Sequence, residues 1–335
     1  MKAGIIGFGL SGRVFHMPLL HAAGIEVTSV AVRDPSKYSD NGEINFVTVQ
    51  QLIEDPAIDL VVVASPNSQH CEHACEALGA GKHVVIEKPL ALNPRDADTI
   101  LAAADQAPGT ACVFHSRRWD GDFLTLCDVL RDGLVGEWKV FESAWSMNKP
   151  VAQQRWKDQD ALGGGLLADF MPHLLDQAIC LFGLPDLAHL DRSTQRSGSL
   201  GADFITITLH YGERRARLSV DCFAPLPRQR FRLAGTHGEY VVTGIDNQEE
   251  QLRQGIDATD AIFGEGDPRR VSEFTDYSGN RRHVQLARGQ YSSFYRDLRI
   301  AVENGTPAAV SLHDAGRVIA IIDALNRNQV WTKAR

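Results

Sequence analysis

No stretch of this chain approaches the roughly 20 consecutive apolar residues that cross a bilayer, which excludes a membrane-spanning helix. Cysteine is sparse: Cys71, Cys75, Cys112, Cys127, Cys180 and Cys222 are scattered through 335 residues. Cys71 and Cys75 are spaced for one helix face, but no second pair completes a zinc site. The cysteines therefore read as reduced, mostly buried thiols, and no metal is expected. Basic charge is not in excess either. Against 34 Lys and Arg stand 42 Asp and Glu, a net charge of −8 that argues against nucleic acid as a main partner. There is no internal repeat and no low-complexity tract. Residues 1–6 run straight into glycines, so no signal peptide is expected and the protein reads as cytoplasmic. What is present is an ordinary globular balance, 44% hydrophobic and 23% charged, with length enough for two domains.

The first part of the chain alternates strand and helix signals. Residues 3–6 form an apolar run ahead of the glycines, and an apolar-rich segment over 14–23 follows them. Residues 27–32 read as a β-branched strand bounded by Arg33-Asp34-Pro35. Residues 60–64 are continuously apolar and end at Ser65-Pro66-Asn67, as expected of a strand buried on both faces. The pattern repeats over 83–86, ending at Glu87-Lys88-Pro89, and over 110–114. Helices are predicted over 70–80 and 96–107, the second with Asn93 and Pro94 as start signals and Pro108-Gly109 as its stop. Such alternation predicts a doubly wound parallel sheet whose ligands lie at the carboxyl ends of the strands. The glycine loop, Asp34, Pro66-Asn67 and Lys88 all fall at such ends.

Gly7-Phe8-Gly9-Leu10-Ser11-Gly12 is a G-x-G-x-x-G loop between a strand and a helix, the context that gives the pattern meaning. Gly7 permits the tight turn, Gly9 lets a diphosphate approach the backbone, and Gly12 lets helix and strand pack closely. The helix N-terminus adds N–H donors and positive potential. Asp34 lies 22 residues beyond Gly12, where an acidic residue takes the adenosine ribose hydroxyls and repels a 2′-phosphate. Arg33 beside it could instead pair with that phosphate. NAD is favoured over NADP on this reading, while Asp34-Pro35-Ser36 is also ordinary turn chemistry.

After Arg118 the pattern changes. A helical segment over 123–130 closes at Gly133, and strand-like stretches over 138–145, 203–211, 215–223 and 229–234 alternate polar and apolar residues. That suits an antiparallel or mixed sheet with one face more exposed. Residues 245–282 are polar and charged and read as a long excursion, and helices are predicted over 291–302 and 314–325. Past Gly163-Gly164-Gly165 the pattern is helical, so Asp169 and His173 fall on one face at a four-residue step. A carboxylate there can orient an imidazole and stabilise its protonated form, making a general base for an alcohol proton. A plain structural pair, with Asp169 as an N-cap and Pro172 in the first turn, fits the same residues. Lys88, at a strand end before a proline, is a fixed positive charge for a substrate or a solvated surface lysine. Arg117, Trp119 and Asp120, just beyond a strand's carboxyl end, are candidate substrate-pocket residues. Arg155-Trp156 is a further candidate in competition with simple packing.

These motifs resemble the glucose–fructose oxidoreductase, inositol dehydrogenase and rhizopine catabolism (Gfo/Idh/MocA) family along nearly the whole chain. Residues 7–16 are similar to its cofactor loop, which adds Phe8 and Ser11 to the cofactor-binding set. Ser65-Pro66-Asn67-Ser68-Gln69-His70 is similar to the turn on the nicotinamide side, and Glu87-Lys88-Pro89 is the family's best-known signature. Residues 115–123, 246–249 and 291–295 resemble a subgroup with inositol and related sugar dehydrogenases. The resemblance implies an α/β protein: an N-terminal Rossmann domain (1–118) and a C-terminal α+β substrate and oligomerisation domain (119–335). The second would carry an open mixed, largely antiparallel sheet and form a homodimer or homotetramer. It also implies Lys88, Asp169 and His173 as the catalytic set, with Lys88 and His173 touching a sugar, inositol or other polyol. Two departures stand out. Met171 replaces a common glycine and could narrow the pocket, and residues 31–34 follow the NAD-type strand end. A reductase of an imine or dihydrodiol dehydrogenase, and a non-catalytic dinucleotide-binding regulator, are the alternatives. The regulator would have no need of Lys88, Asp169 and His173 together.

Overall fold

In the computed structural model, residues 1–38, 44–152, 165–226 and 228–333 are described, and the chain packs as two compact units. The first comprises Met1–Trp119, Gln248–Gly264 and Gln290–Ile319; the second comprises Asp120–Asn247, Glu265–Gly289 and Ala320–Arg335. A single cut at residue 118 does not describe these units, because two later segments return to the first. Among the described residues no helix is long and apolar enough to cross a membrane.

The first unit is built on six parallel strands: β1 (Lys2–Ile6), β2 (Glu26–Ala31), β3 (Asn45–Val47), β4 (Leu60–Val63), β5 (His83–Ile86) and β6 (Ala111–Val113). Their order, β3-β2-β1-β4-β5-β6, reverses direction between β1 and β4, which is the switch point of a doubly wound sheet. All four residues of β4 are buried, as its unbroken apolar run requires. Beyond β1 a π-helical turn (Ser11–His16) leads into α1 (Met17–Ala22). The other helices of the βα units are α2 (Val49–Glu54), α3 (His70–Gly79) and α4 (Pro94–Gln106), the last capped by the Asn93 side chain. The returning segments supply α8 (Gln248–Arg253), α9 (Tyr291–Asn304) and the first part of α10 (Leu312–Asn328). Phe294 and Tyr295 of α9 pack on Phe114 with ring centroids 4.9 and 5.9 Å away, which is why α9 belongs to this core.

In the second unit, α5 (Gly121–Arg131), α6 (Gly165–Asp169) and α7 (Met171–Phe182) accompany nine strands. These are β7 (Trp138–Ser146), β8 (Leu187–Ser193), β9 (Phe204–Tyr211), β10 (Arg214–Asp221), β11 (Gln229–Gly235), β12 (Gly238–Thr243), β13 (Ser272–Asp276), β14 (Arg281–His283) and β15 (Val330–Thr332). Their order is β14-β13-β12-β11-β7-β10-β9-β8-β15, with β7 and β10 parallel and every other neighbour antiparallel. Alternation decides the faces: Ile205, Ile207, Leu209 and Tyr211 of β9 are buried, while the residues between them are half-buried. Helix α7 closes the inner face, where Phe182 meets Trp138 at 4.0 Å and Phe141 at 5.3 Å between ring centroids.

Several sequence expectations need correcting. The polar stretch 245–282 is not simply an excursion, since it contains α8, β13 and the start of β14. Leu252 is the one aliphatic residue of α8 and Phe274 the one apolar residue of β13, too few to show a period. The thiols are less buried than composition suggested: Cys112 and Cys222 are buried, but Cys180 is exposed.

Candidate active site

The glycine loop leaves β1 with Gly7 at φ 106°, a left-handed conformation suited to glycine. A Cβ there would also lie 2.5 Å from the Ala64 carbonyl oxygen, and one at Gly12 would collide with the carbonyl oxygen of Gly7. Both glycines are thus required by the protein's own backbone. Gly9 differs, since a Cβ built on it meets nothing within 4 Å. Its surroundings are open at the strand end and helix start where a dinucleotide diphosphate would sit, so the loop fits that group. Phe8 packs edge-on against Tyr38 and Phe46 at centroid distances of 5.9 and 5.3 Å.

At the end of β2, Arg33 is exposed and Asp34 begins a short turn over Pro35–Lys37. One Asp34 oxygen accepts the Ser36 hydroxyl at 2.6 Å, and the other lies 3.3 Å from the Lys37 ammonium. Those two contacts, the Ser36 bond first, hold its carboxyl below the usual range.

Two turns meet beside β4 and β5. The Ser65 hydroxyl lies 2.9 Å from His73 Nδ1. His70 is fully buried, with Nδ1 2.9 Å from the Pro89 carbonyl and Nε2 3.1 Å from that of Ser65. Burial pushes its pKa down and favours the neutral ring. A neutral imidazole has one N–H, so His70 donates to one of these carbonyls at a time while bracing both turns. Pro66 and Asn67 lead into the short helical turn Asn67–Gln69 ahead of α3.

A polar cluster surrounds Glu87. Its Oε1 accepts the Ser11 hydroxyl and lies 3.1 Å from His16 Nε2, and its Oε2 accepts the Lys88 backbone N–H at 2.9 Å. His16 Nδ1 in turn lies 2.6 Å from the Tyr295 hydroxyl. Burial alone would raise the Glu87 pKa. The His16 contact, the Lys88 charge and the Ser11 bond outweigh it and bring it to about 2. Lys88 is half-buried and precedes Pro89 through a cis peptide bond. His16 and Tyr295 were not singled out by the sequence.

Arg117 and Trp119 lie in the short helical turn Ser116–Trp119 beyond β6. The Arg117 guanidinium donates to Tyr291 Oη at 2.8 Å and to Glu249, which also pairs with Arg253 at 2.6 Å. Gln248 Nε2 and the backbone N–H of Gln290 both donate to the Trp119 carbonyl, at 3.1 and 2.9 Å. This buried network fastens α8 and α9 to the end of β6. Asp120, wholly buried, stands in the second unit at the start of α5. Arg155, Trp156, Gly163 and Gly164 lie outside the described residues.

Lys88 belongs to the first unit, Asp169 and His173 to the second. The single helix expected past the glycines is in fact two. Asp169 ends α6, Phe170 intervenes at φ −103° and ψ −40°, and His173 sits in the first turn of α7. The N-cap is therefore Phe170 and not Asp169, with Pro172 in the first turn. Asp169 is exposed and His173 buried. Met171 has no exposed surface and packs in the core.

A doubly wound sheet whose glycine loop opens a cradle at Gly9 defines a dinucleotide-binding unit. Residues 1–115 match the NAD-binding Rossmann fold of the Gfo/Idh/MocA oxidoreductases, and residues 128–329 match the family's C-terminal alpha/beta domain. The chain belongs to this family. It is similar to scyllo-inositol 2-dehydrogenase (NADP(+)) IolW of Bacillus subtilis, with 31% identity over 97% of this chain and 92% of that protein. A second relative, 1,5-anhydro-D-fructose reductase of Ensifer adhaerens, is 31% identical over 52% of this chain and 54% of its own length. The solved structure of the oxidoreductase YvaA from Bacillus subtilis superposes with a TM-score of 0.93, at 29% identity, over 99% of this chain and 98% of that one. The chain is thus an NAD(P)-dependent oxidoreductase.

Proposed function

We propose that the protein oxidises a secondary hydroxyl of a sugar, inositol or similar polyol, or reduces the matching ketone. The observation that carries this reading is the open space at Gly9 beside Ser11, whose hydroxyl is tied to the turn bearing Lys88. Gly7, Phe8, Gly9, Ser11 and Gly12 would cradle the diphosphate, and Ser65, Pro66, Asn67, His70 and Glu87 would shape the nicotinamide end. When bound, the nicotinamide ring supplies the hydride acceptor or donor. His173 takes the hydroxyl proton, and Asp169 orients its ring and stabilises the imidazolium. Lys88 holds the hydroxyl oxygen and stabilises negative charge developing there. Arg117, Trp119, Asp120 and Arg155 are assigned to the substrate side. The names of the inositol dehydrogenase and anhydrofructose reductase relatives support a polyol or sugar.

For the cofactor we propose NAD, on the strength of the Asp34 carboxylate at the end of β2. A second reading, NADP, is favoured by the contacts of Asp34. Its charge is met inside its own turn by Lys37, with Arg33 exposed alongside, and the relative IolW is named for NADP. We further propose a cytoplasmic homodimer or homotetramer formed through the C-terminal sheet. The half-buried small residues Ala144, Thr206, Thr208 and Ser219 on its outer face support this. The test is a panel of inositols, aldoses and their keto forms with NAD and NADP, read by nicotinamide absorbance. Turnover of a polyol is expected. Binding of the dinucleotide with no turnover would favour a regulator, and turnover of an imine or dihydrodiol alone would move the substrate class.

A further inference from the structure

Glu87 was placed above only at the nicotinamide end, yet it also closes a buried chain, Tyr295–His16–Glu87, whose first two members no step above uses. His16 and Tyr295 have no exposed surface, and apolar residues could fill the same space without the cost of desolvating polar groups. The direction of its bonds follows from the chemistry. A carboxylate only accepts, so His16 Nε2–H and the Ser11 hydroxyl both donate to Glu87 Oε1. In the neutral ring Nδ1 is then the acceptor, and Tyr295 donates its hydroxyl proton to it. Burial holds the Tyr295 phenol well above its ordinary pKa of 10, so that proton stays on oxygen. Glu87 is left with Oε2, which takes the backbone N–H of Lys88.

We infer that Glu87, backed by His16 and Tyr295, is a positioning residue that fixes the peptide from which the Lys88 side chain extends and locks it to the cofactor loop through Ser11. The inference rests on the reading of Lys88 as catalytic. It also gives a reason for helix α9 to return to the first unit, since Tyr295 pins the imidazole that pins the carboxylate. A fully satisfied buried network of this kind rigidifies what it holds, and misplacement of a reacting group by about 1 Å can cost about 100-fold in rate.

The test uses the full-length protein and the polyol turned over fastest in the panel, with E87Q, Y295F, K88A and the doubles E87Q/K88A and Y295F/K88A. E87Q is expected to lower kcat by about 10- to 100-fold, the usual cost of losing a group that orients a site residue. Y295F keeps the ring and should lower kcat by about threefold. Y295F should leave NAD(P)H affinity, read by fluorescence, within about twofold. In the K88A background neither should change turnover by more than about twofold, because a residue that acts through Lys88 has nothing left to position. Independently of activity, hydrogen exchange at the Lys88 amide should accelerate in Y295F, since its acceptor is then less firmly held. Should E87Q fail to fold, Y295F decides alone. Wild-type kcat in the folded single variants, or equal losses with and without Lys88, overturns the inference. In Y295F, a cofactor affinity that falls in step with kcat overturns it too, by making the Tyr295–His16 pair a support of the cofactor rather than of Lys88. Wild-type turnover in K88A instead removes the catalytic reading of Lys88 on which the inference stands.

Discussion

The two units solve the same problem, placing polar groups beside an apolar core, by opposite means. In the first, the central strand β4 is buried on both faces, and the glycine loop, Asp34 and Lys88 follow the carboxyl ends of strands. There the backbone itself dictates residue type, at Gly7 and Gly12. In the second, an alternating sheet buries one face, and His173 is carried by a helix whose exact start depends on Phe170. The first unit therefore tolerates little change in its loop backbone.

The largest effect should separate two glycines of one loop. Gly9→Val is expected to abolish dinucleotide binding with the fold intact, because its Cβ meets no protein atom within 4 Å and enters the cradle. Gly12→Val should lose binding and thermal stability together, since its Cβ collides with Gly7. Fluorescence titration and thermal melting of both variants check this, and equal stability losses would erase the distinction. Next, His173→Ala should cut turnover by about 100-fold or more while NAD(P) affinity barely changes. Steady-state kinetics alongside a binding titration would show whether the second unit supplies chemistry alone.

An acid titration of stability sharpens the comparison from the other side. The folded pKa of Glu87 is about 2 against an ordinary 4.5, so its stabilising contribution is present above about pH 4.5 and is lost as pH falls toward 2. Glu87→Gln should flatten that part of the stability–pH curve by about 3 kcal/mol, measured by denaturant unfolding. The smallest change is expected at Asp34→Ser with Arg33 retained. Removing the carboxylate frees Lys37 and should move the NADP-to-NAD preference by about tenfold, some 1.4 kcal/mol. An unchanged ratio would mean that the turn does not read the ribose.

Legibility in the sequence followed the same division. The apolar run over 83–86 coincides with β5 end to end, and the Asn93 start signal is the observed cap of α4. Strand β3 and helix α2 passed unread, because three residues and six residues are too short for a period to show. In the candidate site, the glycine loop was legible because local backbone geometry restricts residue choice there, at Gly7 and Gly12. The Glu87 network was not: His16 reaches Glu87 across 71 positions and Tyr295 across 279, and nothing local marks such partners. The Phe170 break escaped for a related reason, since Phe170 keeps right-handed helical torsions and leaves the apolar pattern undisturbed.

The return of residues 290–319 to the first unit also sets an order of events during synthesis. A chain leaving the ribosome from its N-terminus presents all six parallel strands long before Tyr295 and Phe294 exist. Until then Phe114 lacks its aromatic cover and His16 lacks its phenol. The first unit is consequently incomplete until its segment over residues 290–319 has emerged, and a nascent chain stalled before residue 290 would carry a glycine loop on an incomplete core.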